Sequence, residues 1–223
     1  MTELPVTALV VAKAPVPGQA KTRLAATVGD QMAAVIAAAA LLDTLDAVLA
    51  TPVAGRAVAL TGDLDEARHG AVIRKRLDEF TVVTQRGDTF ADRLVHAHAD
   101  AAAATGDRPI LQIGMDTPQV TDELLTRCAD ALLATDAVLG PAIDGGWWLL
   151  GVRDARMAGC LRGVPMSRAD TGELTVKALR NNSLEVSVLD ELSDVDTADD
   201  VEHVRRECAP GTRFPFATAA AGL

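Results

Sequence analysis

A chain of 223 residues, 49% of them hydrophobic, is long enough for one domain with a sizeable core. With four Phe, two Trp and no Tyr, that core must be aliphatic. A formal net charge of -10 argues against a general nucleic-acid or anionic-membrane binder, and three widely spaced cysteines without a C-x-x-C exclude a disulfide framework or zinc ribbon.

Taken in chain order, Thr7–Ala12 is an apolar run of strand length, followed by the loop AKAPVPGQAKTRL (Ala12–Leu24). Two prolines and a glycine forbid a regular element there, while Lys13, Lys21 and Arg23 crowd into an otherwise acidic chain. Lys21–Thr22 imitates the end of G-x-x-x-x-G-K-[ST]. Pro15 and Ala20 stand at the two glycine positions, and the prolines lack the N–H groups of an amide cradle, so a P-loop is excluded. What remains is a basic loop at the carboxyl end of a strand, where open α/β sheets bind ligands, and near a helix start, where anions are favoured.

Gln31–Ala50 reads as an alanine-rich helix, either core or subunit interface, so a homo-oligomer stays open. Its most apolar part, Met32–Leu42, is too short to span a bilayer, as TALVVA is too short for a signal sequence. A soluble, cytoplasmic protein without stable membrane association is expected. Strands are expected at Arg56–Thr61, Phe80–Thr84, Pro109–Gly114 and Ala137–Pro141, with helices at Asp65–Asp78, Thr89–Ala104 and Thr121–Ala134 between them. The alternation of Val/Ile/Leu runs with crossover helices predicts a mostly parallel sheet in a Rossmann-like α/β/α sandwich.

GMDTP (Gly114–Pro118) ends the apolar run PILQI, which places Asp116 at the carboxyl end of a central strand. A carboxylate there can hold Mg²⁺ or Mn²⁺ while bound phosphates complete the shell; Asp-x-Pro also simply starts a turn. In DGGWW (Asp144–Trp148), Asp144 is either a turn residue or a group that orients or deprotonates an acceptor. The tryptophans are either packing or a platform for a sugar or base. Trp147–Val152 reads as a strand able to pair antiparallel, Val164–Thr171 as a loop, Gly172–Arg180 as a helix and Glu185–Leu189 as a strand. DVDTADDVEHV (Asp194–Val204) opens a helix running to about Cys208; Asp196 or Thr197 is its cap, and Asp196 is also a second candidate metal ligand. Residues 1–208 are expected as a single domain and 209–223 as a flexible tail. His96 and His98 do not share a helical face, and no Ser/His/Asp or Cys/His triad is legible.

Four ordered motifs, AKAPVPGQAKTRL, GMDTP, GPAIDGGWWLLG and DVDTADD, resemble the bacterial transferase family labelled DUF2064. It is also called the radical-SAM/selenodomain-associated glycosyltransferase-like family, within the nucleotide-diphospho-sugar transferase (GT-A) superfamily. The resemblance implies a GT-A fold from Val6 to about Val204. It sets Ala12, Lys13, Gly18, Lys21 and Arg23 toward a nucleotide and its phosphates, with Arg93 available to a phosphate. Asp116 and Asp196 become the metal pair, and Gly140–Gly146 with Trp147 borders the acceptor or sugar side. Lys21, Asp116 and Asp144 are the residues expected to carry the chemistry.

The activity implied is glycosyl transfer from a nucleotide-sugar donor to a small-molecule acceptor, dependent on Mg²⁺ or Mn²⁺. A second reading is nucleotidyl transfer from an NTP to a phosphate-bearing molecule, since AKTRL is similar to the phospholactate/phosphoenolpyruvate guanylyltransferases. A third is a non-catalytic nucleotide-binding domain.

Overall fold

The computed structural model describes residues 3–223. Seven strands form one sheet: β1 (Leu4–Lys13), β2 (Val53–Thr61), β3 (Thr81–Thr84), β4 (Ile110–Ile113), β5 (Ala137–Pro141), β6 (Trp147–Val152) and β7 (Val186–Val188). Their order across the sheet is β3-β2-β1-β4-β6-β5-β7. All neighbours pair parallel except β6, which runs antiparallel to both β4 and β5. The chain is thus Rossmann-like, as the alternation predicted.

Period-two side-chain alternation divides the strand residues between two apolar layers. Val6, Ala8, Val10, Leu111, Ile113 and Leu149 face one layer, covered by α2 (Asp30–Ala50), α3 (Gly70–Leu77) and α5 (Asp122–Ala134). Leu9, Val11, Ile110, Leu139 and Leu150 face the other, under α4 (Phe90–Thr105), a 3-10 segment (Ala155–Gly163) and α6 (Thr171–Asn181). A third cluster joins α1 (Thr22–Val28), α2, α7 (Ala198–Glu207) and α8 (Arg213–Ala220) through Leu24, Ile36, Ala40, Val204 and Phe214.

That third cluster settles the role of α2. By length and composition this 21-residue helix could cross a membrane, and it extends well beyond the Met32–Leu42 stretch judged too short. It is instead held between the sheet on one side and α1, α7 and α8 on the other, which is why it is apolar all round. Its alanines from Ala33 to Ala40 are core.

The expected tail is corrected by the same contacts. Residues 213–220 form α8, with Phe214 fully buried. The buried Asp43 carboxylate accepts from the Arg213 and Phe214 N–H groups at 2.9 and 2.7 Å and from the Arg213 guanidinium at 3.1 Å. An anchor 170 residues upstream satisfies the first turn of α8. Elsewhere α3 is shorter than expected, since turns occupy the segment before His69, which takes a left-handed backbone (φ 56°).

Candidate functional site

The AKAPVPGQAKTRL loop leaves β1 beside the carboxyl end of β4, and backbone pairing ties the DVDTADD segment to the same place: Val195 N–H donates to the Asp116 carbonyl at 3.1 Å. Three expected site residues therefore meet. Lys21 Nζ lies 2.9 Å from Asp116 Oδ1 and 3.4 Å from Asp196 Oδ1, and it also donates to the Val195 carbonyl. Arg23 reaches Asp196 Oδ2 at 2.9 Å from the solvent side.

Lys21 is the most constrained cation of the site. Its side chain is only 6% exposed, and its backbone is left-handed (φ 49°, ψ 50°), a costly conformation for a residue with a Cβ. Burial alone would lower its pKa; Asp116, then Asp196, with Asp194 behind them, outweigh that and raise it. The ammonium is held charged. Asp116 Oδ1 is fully buried with no hydrogen-bond donor, so Lys21 meets it as an ion pair, while the rest of the carboxylate is open.

Asp196 is free for Lys21 and Arg23 because the helix cap falls to its neighbours. The Asp200 carboxylate accepts from the Thr197 N–H at 2.7 Å, the Thr197 hydroxyl at 2.9 Å and the Asp196 N–H at 3.0 Å. For a divalent cation the donor chemistry fits, hard oxygens from Asp116, Asp196 and the Val195 carbonyl. Those oxygens already surround an ammonium, however. Among the described residues no cluster of three or more His, Cys, Asp and Glu is placed to hold a metal.

Two adjoining cavities open at this sheet edge. The smaller, about 230 Å³, lies under the first loop and is lined by Gln19–Arg23, Lys13, Asp116 and Asp196. The larger, about 420 Å³, runs from Lys13 and Asp116 toward α4 and the Met166–Thr171 loop. Ala12, Arg93, Asp144, Gly146 and Trp147 all border it. Lys13 donates to the Gln19 carbonyl at 2.9 Å and Arg93 to the Gly87 carbonyl at 3.3 Å, so each cation spends a donor on neutral backbone. Gly18 and Gly145 line neither cavity; each shapes a turn at positive φ (77° and 87°). Because α1 has only seven residues, Lys21 and Arg23, not a helix dipole, supply the positive charge of the first loop.

DGGWW serves turn and cavity at once. Asp144 Oδ1 accepts the Gly146 N–H at 2.7 Å, as a turn residue would, and still borders the larger cavity. A Cβ on Gly145 would stand 1.9 Å from the Ala169 carbonyl, so only glycine lets this turn press against the Met166–Thr171 loop. The tryptophans part at a register shift between β5 and β6, which breaks the strand alternation and sends Trp148 into the same layer as Leu149. Both border the cavity, but Trp147 is half-buried in the layer under α4, while Trp148 is buried in the opposite layer with its Nε1 donating to the Asp190 carbonyl at 3.0 Å.

Sequence reasoning missed several lining residues. Asp194 borders the larger cavity, its pKa pushed up to about 6 by burial and then by Asp144 and Asp196. Arg168, held by Asp170 at 2.9 Å, and Met166 come from a stretch read only as a loop. Gln112 and Thr117 line the same cavity, and each is 2% exposed. The position of Gln112 inside PILQI, one residue before the strand's end, was the one available signal.

Comparison with known proteins follows the same lines. A family model described as an uncharacterized protein conserved in bacteria (DUF2064) matches residues 44–168. No curated protein sequence matches. Among solved structures, a Desulfovibrio desulfuricans G20 protein provisionally named a nucleotide-diphospho-sugar transferase is 26% identical with a TM-score of 0.83. The match covers 100% of this chain and 96% of that one. Two more distant structures share the fold. The Rv0371c protein of Mycobacterium tuberculosis H37Rv, solved in complex with manganese, is 22% identical (TM-score 0.54, 90% of this chain and 97% of that one). A CMP:2-keto-3-deoxy-manno-octonic acid synthetase complexed with CTP is 12% identical (TM-score 0.55, again 90% and 97%).

Proposed function

The chain belongs to the DUF2064 family, and from that premise we propose that it is a nucleotide-utilising transferase that moves a glycosyl group from a nucleotide-sugar donor to a small-molecule acceptor. The observation that carries this is the buried Lys21 ammonium, set between Asp116 and Asp196 where two cavities meet. Its charge is spent on Asp116, Asp196 and the Val195 carbonyl until an anion enters the smaller cavity beside it. The smaller cavity, with Lys13, Lys21 and Arg23, takes the diphosphate; the larger one, with Trp147, Asp144 and Asp194, takes the sugar and the acceptor.

In this reading the acceptor hydroxyl forms a bond to the anomeric carbon as the bond from that carbon to the diphosphate oxygen breaks. The hydroxyl proton passes to a carboxylate, Asp144 or its neighbour Asp194, whose raised pKa suits it to accept a proton near neutrality. Lys21 and Arg23 hold the departing diphosphate as its charge grows. Asp116 and Asp196 would hold Mg²⁺ or Mn²⁺ once an arriving phosphate draws Lys21 away from them. When bound, such an ion would supply further charge neutralisation on the leaving group.

Nucleotidyl transfer is the second reading, favoured by one observation: Lys21 follows the first loop directly and faces the strand-end aspartate, a placement that also suits an attacked α-phosphate. One assay separates the two. The protein is incubated with Mn²⁺ and either nucleotide sugars or NTPs, and products are resolved by anion exchange. Release of nucleoside diphosphate and sugar from the former supports glycosyl transfer, and pyrophosphate from the latter supports the alternative. If neither class is bound or turned over, the transferase reading fails.

A further inference from the structure

Several polar residues line the larger cavity, Lys13, Thr61 and Gln85 among them, but the amide at position 112 stands within the apolar centre of the sheet. Gln112 sits on β4 opposite Leu9 of β1 and Leu150 of β6, and its neighbours along the cavity floor include Val11, Phe90 and Met166. Its side chain is 2% exposed, yet Oε1 has no hydrogen-bond partner. Thr117 repeats the pattern on the same cavity: 2% exposed, with an unpartnered Oγ1. A buried polar atom left unpaired lowers stability, and a leucine at position 112 would merge with the Leu9–Leu150 layer. Fold stability gives no reason for an amide here; a ligand does.

We propose that Gln112 is a specificity-determining residue that reads a hydroxyl group on a sugar ring held in this cavity, with Thr117 beside it. The proposal rests on the transferase reading above and deepens it. The chemistry of the walls selects the ligand. Four residues that can accept hydrogen bonds, Gln112, Asp116, Asp144 and Asp194, line one cavity, with Lys13, Arg93 and Arg168 beside them as donors. A polyol offers an O–H at nearly every carbon, whereas a nucleobase offers one or two N–H groups at one edge. The half-buried Trp147 ring suits the apolar C–H face of a pyranose.

The test has two readouts. First, thermal unfolding of the nucleotide-free protein is compared with Gln112→Leu and Gln112→Met. Relief of an unpaired buried amide should raise Tm by roughly 3 °C or more. If both variants melt at or below the wild-type temperature, the amide is structural and the proposal is overturned. Second, calorimetry with Mn²⁺ measures UDP, GDP and CDP, the hexose adduct of each, and hexose 1-phosphates.

The expected result is at least a tenfold loss, in Gln112→Leu, of affinity for a hexose-bearing ligand with affinity for the matching nucleoside diphosphate kept. Loss confined to the nucleotide sugars places the donor's sugar on Gln112; loss confined to hexose 1-phosphates places an acceptor's sugar there. Wild-type protein that binds a nucleoside diphosphate no more weakly than its hexose adduct, and binds no hexose 1-phosphate, overturns the sugar assignment. So does equal weakening of the diphosphate alone, which would put the base on Gln112. Failure to bind any nucleotide would instead strike at the transferase reading, and the melting comparison would still decide whether Gln112 is kept at a cost.

Discussion

Replacing Lys21 with methionine removes one charge and little volume from the centre of the site. Methionine bears the left-handed backbone at position 21 no better than lysine does, so the strain cancels in the comparison. What changes is the electrostatics between Asp116 at 2.9 Å and Asp196 at 3.4 Å. Both carboxylates are more than a third exposed, at 37% and 41%, so the interior limit of Coulomb's law does not apply. Screened pairs of this kind are worth about 1 kcal/mol each. An entering divalent cation must displace the wild-type ammonium from both, at a cost of about 2 kcal/mol, which is more than tenfold in affinity. Nucleotide-free Lys21→Met is therefore expected to bind Mn²⁺ roughly tenfold or more tightly than wild type, read from the loss of the free Mn²⁺ signal in electron paramagnetic resonance. Its affinity for nucleoside diphosphates should move the opposite way. A variant that binds Mn²⁺ no better than wild type would refute the idea that lysine and metal compete for one pair of carboxylates.

The remaining predictions concern stability. His98 is fully buried on α4, with Nε2 unpartnered, and burial lowers its pKa to about 4. The unfolded chain takes up that proton below about pH 6.5 and the native chain only near 4. Stability should consequently fall as pH drops through that window, by up to about 3 kcal/mol, and His98→Leu should flatten the decline in urea melts taken from pH 7 to 4. Phe214→Ala should cost about 3–5 kcal/mol, the usual range for a buried Phe, because it empties the cluster that α8 shares with Leu24, Ile36 and Val204. A change below about 0.5 kcal/mol would mean that residues 209–223 are the loose tail their composition suggests.

How much of this was written in the sequence depends on how local each cause is. Lys21 and Asp116 were legible because a basic, proline-broken loop and an aspartate each follow an apolar run, and strand ends gather at one edge of an α/β sheet. Asp196 was half legible: its stretch could equally have been spent on capping α7, and only the Asp200 hydrogen bonds show which acid took that duty. Gln112 was hidden because one amide in PILQI reads as strand filler until β1 and β6 are laid beside it. The fold of α8 was hidden for a different reason. PGTRFPFATAAAGL has every mark of a fraying end, and the Asp43 carboxylate that orders it lies in another helix.

The same separation explains how the site is assembled. Lys21, Asp116 and Asp196 come from three distant parts of the chain, and each arrives on an element with its own reason to be there. Asp116 follows the central strand β4, Asp196 lies on a segment stitched to the Asp116 carbonyl by Val195, and Lys21 on a loop whose following helix buries Leu24 in the cluster that also holds Val195 and Val204. Burial of Leu24 and Val195 in one cluster therefore holds Lys21 near Asp196, and α8 enters that cluster through Phe214. The C-terminal helix, although far from both cavities in sequence and absent from their linings, thus supports the geometry on which the ammonium's grip depends. Loss of Phe214 should loosen Lys21 as well as the fold. Phe214→Ala protein kept folded at low temperature is accordingly expected to bind nucleoside diphosphate more weakly than wild type; unchanged affinity would uncouple the cluster from the site.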